Sequence, residues 1–280
     1  MLFSNDLMPD NFNYREYAIK IKLREILELT DLPQNVSNKR IKSPTFSVDP
    51  NNNIPILPEL DDLIRLHYIA CSRKATTILE FGVGKSTLIF GNALLLNKGE
   101  YYDFTSTNLR RANLYECHSV DNYDSWINEC KNRTPNHLIA GNFINFHLAK
   151  LSISEFSNRV CTFYDPIPNI CPDLIYLDGP DQFSPAGDIR GLSTSHQDRM
   201  PMSADILVFE HFLQPGTLVI VDGRTANARF LACNLQRQWA HYYSKDWDQH
   251  FFELQEEPLG IYNKRMLDHC LGEEYFQRLS

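Results

Sequence analysis

Apolar side chains recur at helical spacing between Tyr14 and Thr30, where Tyr17, Ile21, Leu23, Ile26 and Leu27 alternate with charged positions. Asp31-Leu32-Pro33 ends that helix, because proline cannot continue it. Residues 31 to 57 lose the pattern and are rich in Asn, Pro and Ser, the composition of a linker or surface strap. A second helix starts at Pro58-Glu59-Leu60-Asp61-Asp62 and runs to about Cys71, with acids in its first turn, where the helix dipole favours them. The pattern then changes period. Residues 76 to 81 predict a core strand, and a helix runs from Ser86 to about Leu96. Residues 97 to 112 are polar and read as an irregular connection. Residues 114 to 121 form a second strand, followed by a helix over about 123 to 132. A strand at about 144 to 151 leads into a short helix and a loop ending near 165. Residues 173 to 178 and 216 to 222 are buried strands, separated by a Gly/Ser-rich loop (184 to 200) and a helix (203 to 213). Two aromatic-rich strands fall within 239 to 263.

Strands that alternate with helices predict an α/β fold: a doubly wound, Rossmann-like, mostly parallel sheet with helices on both faces. Residues 58 to 280 make that domain, and residues 1 to 57 make an N-terminal helical extension. The sequence permits the extension either to cover a crevice or to form a contact between copies of the chain in a homo-oligomer.

Composition narrows the partners. The chain has 280 residues and a formal charge of −8, which disfavours nucleic acid, because phosphate binding needs a basic face. No run of about 18 apolar residues predicts a membrane helix, and the first residues lack the basic start and apolar stretch of a secretory signal. Seven scattered cysteines, odd in number and without a CxxC pair, read as reduced thiols of a cytoplasmic protein. A small-molecule substrate is the expectation that remains.

The chemistry concentrates in Leu79-Glu80-Phe81-Gly82-Val83-Gly84-Lys85-Ser86-Thr87. An apolar strand closes on an acid, turns on two glycines and opens a helix. Such a turn brings backbone N–H groups and the positive end of a helix to a ligand. A phosphate-wrapping GxxxxGK[ST] loop needs a glycine five positions before Gly84, where Leu79 stands inside the strand. A dinucleotide GxGxxG meets Thr87 at its third glycine, and the acid expected about twenty positions on falls in a polar stretch. The NAD alternative is therefore weaker, though it stays open.

The same residues resemble the first motif of class I S-adenosylmethionine-dependent methyltransferases: apolar strand, acid, then G-x-G. Ser86-Thr87 after the turn fits many members of that family, and Lys85 departs from their usual small residue. The likeness extends over about residues 76 to 260. It implies S-adenosylmethionine as cofactor and methyl transfer to oxygen or nitrogen of a small molecule. Under it, Gly82 and Gly84 pass beneath the methionine part, whose carboxylate meets N–H groups near Ser86. Glu80 sits near the amino and sulfonium side, Asp121 accepts the ribose hydroxyls, and Phe163 or Tyr164 stacks on adenine. Helix capping is the competing role for Asp121.

Four strands close on acids: Glu80, Asp121, Asp178 and Asp222. In a doubly wound sheet these ends face the ligand crevice. Asp178-Gly179-Pro180-Asp181 is similar to the fourth-strand end of small-molecule O-methyltransferases, some of which hold magnesium there. Asp178 and Asp222 match those metal positions, with Asp181 as a third, but Gly223 replaces the expected Asn or Asp. Asp178 otherwise serves as a base, and His196 and His211 are further candidate bases. Arg190, Arg199, Arg224 and Arg229 fall near the crevice mouth, where they either bind an anionic acceptor, such as a phosphorylated or nucleotide-linked sugar, or neutralise the carboxylates. A non-catalytic protein that binds a nucleotide or a partner on the same fold is the alternative from another class.

Overall fold

The computed structural model describes residues 4–32 and 59–279. The strap read at 31 to 57 lies, from residue 33 onward, outside the described residues. Three short helices open the chain: α1 (Ser4–Leu7), α2 (Tyr14–Lys20) and α3 (Leu23–Ile26). The single helix expected over 14 to 30 is broken at Lys22, whose backbone is left-handed (φ 56°). α4 (Leu60–Ser72) precedes the first strand, β1 (Thr77–Phe81), and α5 (Lys85–Asn108) follows it. Then come β2 (Glu116–Asp121), α6 (Asp124–Arg133), α7 (Asn136–Ala140) and β3 (Ile144–Leu148). A hairpin of β4 (Lys150–Phe156) and β5 (Arg159–Asp165) leads to β6 (Leu174–Leu177). α8 (Asp205–Phe209), β7 (Leu218–Asp222), α9 (Thr225–Asn234), β8 (Trp239–Ser244), β9 (Gln249–Leu254), α10 (Ile261–Cys270) and α11 (Glu273–Leu279) complete the described chain.

Among the described residues seven strands form one sheet in the order β3-β2-β1-β6-β7-β9-β8. The first five are parallel; β9 runs antiparallel to β7, and β8 antiparallel to β9. The order reverses between β1 and β6, and in doubly wound sheets the ligand crevice lies beyond the carboxyl ends of the strands at such a reversal. β1 and β6 are buried throughout, as expected of central parallel strands.

Alternate side chains feed two cores. Ile78, Tyr176, Ile220 and Phe251 pack on one face with α4, α5 and the N-terminal residues Leu7, Tyr14, Ala18 and Leu23. Leu79, Phe81, Ile175, Leu177, Val219 and Val221 pack on the other with the hairpin, α8 and α9.

Two stretches correct the sequence expectation. Residues 97 to 108 are not an irregular connection but the second half of α5. Asn97 is buried there and donates to Ala70 O and Ala75 O, both at 3.0 Å, while most of its polar neighbours face solvent. Residues 150 to 165 are a β-hairpin rather than the end of a strand, a helix and a loop. Its turn, Ser157-Asn158, places both residues at positive φ (49° and 62°), the geometry of a two-residue hairpin turn. The hairpin is flanked by the long loop before α8: Ile153 N donates to Ala186 O, and Thr162 N to Met202 O, each at 2.9 Å.

Candidate functional site

The turn after β1 is built from the strand upward. Gly82 has φ +102°, a conformation that only glycine adopts without strain. A Cβ there would stand 3.2 Å from Gly179 N, at the end of β6. Gly179 is equally enclosed, since its own Cβ would meet Tyr164 Oη at 2.9 Å and Phe81 O at 3.2 Å. Gly84 is extended and has room for a side chain; as a glycine it offers the first-turn N–H groups of α5 no side-chain cap. Gly84 N itself donates to Thr87 Oγ1 at 3.1 Å.

The four acids separate into two kinds. Glu80 shares the sheet face of Ile78 and is fully buried under α5. It accepts from Ser86 Oγ (2.5 Å), Thr87 Oγ1 (2.6 Å) and Ser119 Oγ (2.6 Å). Burial pushes its pKa up to about 7, against the pull of the three hydroxyls. The expectation that Glu80 faces the ligand gives way to support from beneath: it fastens the first turn of α5 to β2.

Asp121 is only 7% exposed. One carboxylate oxygen accepts from Val83 N in the glycine turn at 2.9 Å, the other from Tyr123 N at 2.8 Å. Asp121 thus holds the glycine turn and the turn that leads to α6, while the helix N-cap position weighed for it is occupied by Tyr123. α6 itself starts one residue later than Tyr123. Burial raises the Asp121 pKa, and the N–H groups of Val83, Tyr123 and Asn122 oppose that rise.

Asp178 and Asp222 stand on the rim and are partly exposed. Arg224 Nε lies 3.5 Å from Asp178 Oδ1, and its Nη1 donates to Pro180 O at 2.8 Å. This contact with Asp178 is the neutralising role weighed for Arg224. Asp222 Oδ1 accepts from Gln249 Nε2 at 2.9 Å. Among the described residues Asp178, Asp181 and Asp222 do not converge to ligand spacing; the group that does is Glu59, Asp61 and Asp62, at and beside the start of α4.

Tyr164 lies on β5, 5% exposed, with its ring stacked on Phe81 at 5.7 Å. It walls the turn by packing against Gly179. His196 is exposed in the loop before α8, and its Nδ1 accepts from Asp198 N at 3.1 Å. His211 is not brought to the crevice. Its neighbour Glu210 accepts from Arg237 N and Trp239 Nε1, at the sheet end where Trp239 pairs with Leu254. That end holds Leu218, the start of β7, opposite to Asp222. Ser119, Thr87, Gly179 and Gln249 carry contacts that the sequence reasoning left without a role. Period-two counting from Ile78 would have placed Glu80 on the α5 side, beside these hydroxyls.

A glycine turn after the first strand, an order reversal beside it and a reversed β8–β9 pair at the far edge complete the architecture. The chain has a doubly wound, Rossmann-like α/β fold. No protein-family model matches the sequence, and no curated protein matches it either. Among solved structures, the chain is similar to the SAH-bound Podospora anserina methyltransferase PaMTH1, at 11% identity over 74% of this chain and 85% of that one, with a TM-score of 0.40. It is similar to the C-terminal domain of precorrin-6Y C5,15-methyltransferase from Rhodobacter capsulatus, at 10% identity over 69% and 89% of the two chains, with a TM-score of 0.35. The O-methyltransferase TomG from Streptomyces achromogenes, in complex with SAM, shows 14% identity over 89% and 92%, with a TM-score of 0.37. All seven cysteines are free, and no helix among the described residues is long and apolar enough to cross a membrane.

Proposed function

We propose that the protein is an S-adenosylmethionine-dependent methyltransferase acting on oxygen or nitrogen of a small molecule. The observation that carries this is the turn itself: Gly82 at positive φ, seated on Gly179 and held from β2 by Asp121 through Val83 N–H. The residues fit the cofactor. First-turn N–H groups of α5 near Ser86 suit its carboxylate, and Asp121 keeps acceptor capacity for ribose hydroxyls, since each carboxylate oxygen has a second lone pair. Bound there, the cofactor supplies an electrophilic methyl group.

The chain's own contribution is alignment and proton removal. The hairpin and the loop over residues 180 to 203 flank the rim and orient the acceptor, and positioning supplies most of the rate in such a transfer. Asp178, held by Arg224, would take the proton that the acceptor loses on methylation. His196 is the second candidate for that step. Photocrosslinking with methyl-labelled S-adenosylmethionine tests the cofactor assignment. Label incorporation blocked by S-adenosylhomocysteine, and not by NAD or Mg-ATP, is expected; the reverse order of competition would remove the proposal.

A further inference from the structure

We propose that His118 and His147 form a binding site for a divalent transition-metal ion, with zinc the natural occupant, oriented by Glu116. β2 and β3 are parallel neighbours, with His118 opposite Asn145 and His147 opposite Val120. The two imidazoles therefore rise from one face of the sheet. His118 Nδ1 lies 2.9 Å from His147 Nε2, and the rings stack at 5.1 Å with 16° between their planes. On its other side, His118 Nε2 lies 2.9 Å from Glu116 Oε2.

A carboxylate only accepts, so His118 carries its proton on Nε2. In the neutral ring that leaves the Nδ1 lone pair aimed at His147. Asn113 Nδ2 donates to the same Glu116 oxygen at 2.9 Å and holds the carboxylate in place. A carboxylate behind an imidazole is how metal-ligating histidines are ordinarily fixed. Burial and the nearby His118 ring lower the pKa of His147.

A single proton, on His147 Nε2, now bridges the two nitrogens. With metal bound, that proton sits on His147 Nδ1 and both lone pairs point to the ion. Zinc–nitrogen bonds of about 2.0–2.1 Å in a tetrahedral site set the nitrogens about 3.3 Å apart, so the side chains part by about 0.4 Å and each ring turns by about 35° to swing its lone pair off the N–N line onto the ion. His147 is partly exposed on the edge strand. Two imidazole donors suit zinc, nickel or copper rather than magnesium. The site is separate from Asp178 and Asp222 and does not rest on the cofactor proposal. A second pair, His241 Nε2 and His250 Nδ1 at 3.1 Å, has Thr225 Oγ1 rather than a carboxylate behind it and serves as a control.

Calorimetric titration of the chelator-treated protein with zinc chloride tests the site. One micromolar site is expected, weakened about 10–100-fold by Glu116→Gln, lost in His147→Ala and unchanged in His241→Ala. Copper(II) paramagnetic resonance counts the ligands without reference to stability, and two imidazole nitrogens are expected. No saturable zinc binding, zinc affinity unchanged by His147→Ala, or a copper spectrum without imidazole nitrogen would overturn the proposal.

Discussion

Gly82 and Gly179 meet backbone to backbone: a Cβ on Gly82 would stand 3.2 Å from Gly179 N, and one on Gly179 would stand 3.2 Å from Gly82 N. The turn after β1 and the end of β6 are thus a single close-packed unit. Gly179→Ala forces its methyl against Tyr164 Oη and Phe81 O. The expected cost is about 1–3 kcal/mol of stability, typical of overpacking, with a larger loss of cofactor affinity. Urea denaturation and ligand titration of the same variant separate the two effects. Gly84→Ala, where space exists, is expected to fold like the parent.

Stability should depend on pH through Glu80. Its pKa rises from an ordinary 4.5 to about 7 through burial, so the folded state binds the proton more tightly than the unfolded chain. That contribution is fully present below about pH 4.5 and is lost as pH rises through about 7. The span corresponds to on the order of 3 kcal/mol. Glu80→Gln is expected to flatten the slope between those pH values in denaturant unfolding. A variant that keeps the parent's slope would show that other groups set it.

Asp121→Asn tests the hold of β2 on the turn. Both carboxylate oxygens accept backbone N–H groups, whereas an amide offers one oxygen and turns N–H against N–H on the other side. A buried unpaired donor costs about 1–3 kcal/mol. Cofactor affinity is expected to fall at least tenfold while the circular dichroism spectrum stays unchanged. Unaltered affinity would separate Asp121 from binding.

Arg65 joins the N-terminal helices to the crevice rim. It is fully buried on α4, pairs with Asp61 and Asp62, and donates to Tyr14 Oη and Gln249 Oε1, each at 3.1 Å. Gln249 in turn donates to Asp222. Arg65→Met leaves two buried carboxylates without their cation and should destabilise the fold by about 3–5 kcal/mol. Adding Asp61→Asn and Asp62→Asn to the same chain should recover part of that loss in thermal unfolding.

The central strands were legible because strands buried on both faces are continuous apolar runs, as in Thr77–Phe81 and Leu174–Leu177. The glycine turn was legible because a strand, two glycines and a helix start leave little other geometry. The second half of α5 was not: its polar side chains face water, and polarity without proline resembles a loop. The hairpin hid behind Ser157-Asn158, which adopts the left-handed turn without the glycine that usually announces it. α10 and α11 had no anticipated counterpart at all. At the site, strand ends located the acids but not their partners. Glu80 and Asp121 turned inward to hydroxyls and N–H groups, because an acid closing a buried strand must find donors or cost several kcal/mol. His211 was misplaced because a helix that returns across the sheet ends at the amino side of the next strand.

Isothermal titration of the full chain with S-adenosylmethionine and S-adenosylhomocysteine, beside NAD and Mg-ATP, tests the central claim most directly. Micromolar binding of both sulfur compounds, weakened in Gly179→Ala and Asp121→Asn, is the predicted result. Binding of NAD or ATP in their place, or of none of the four, would contradict it.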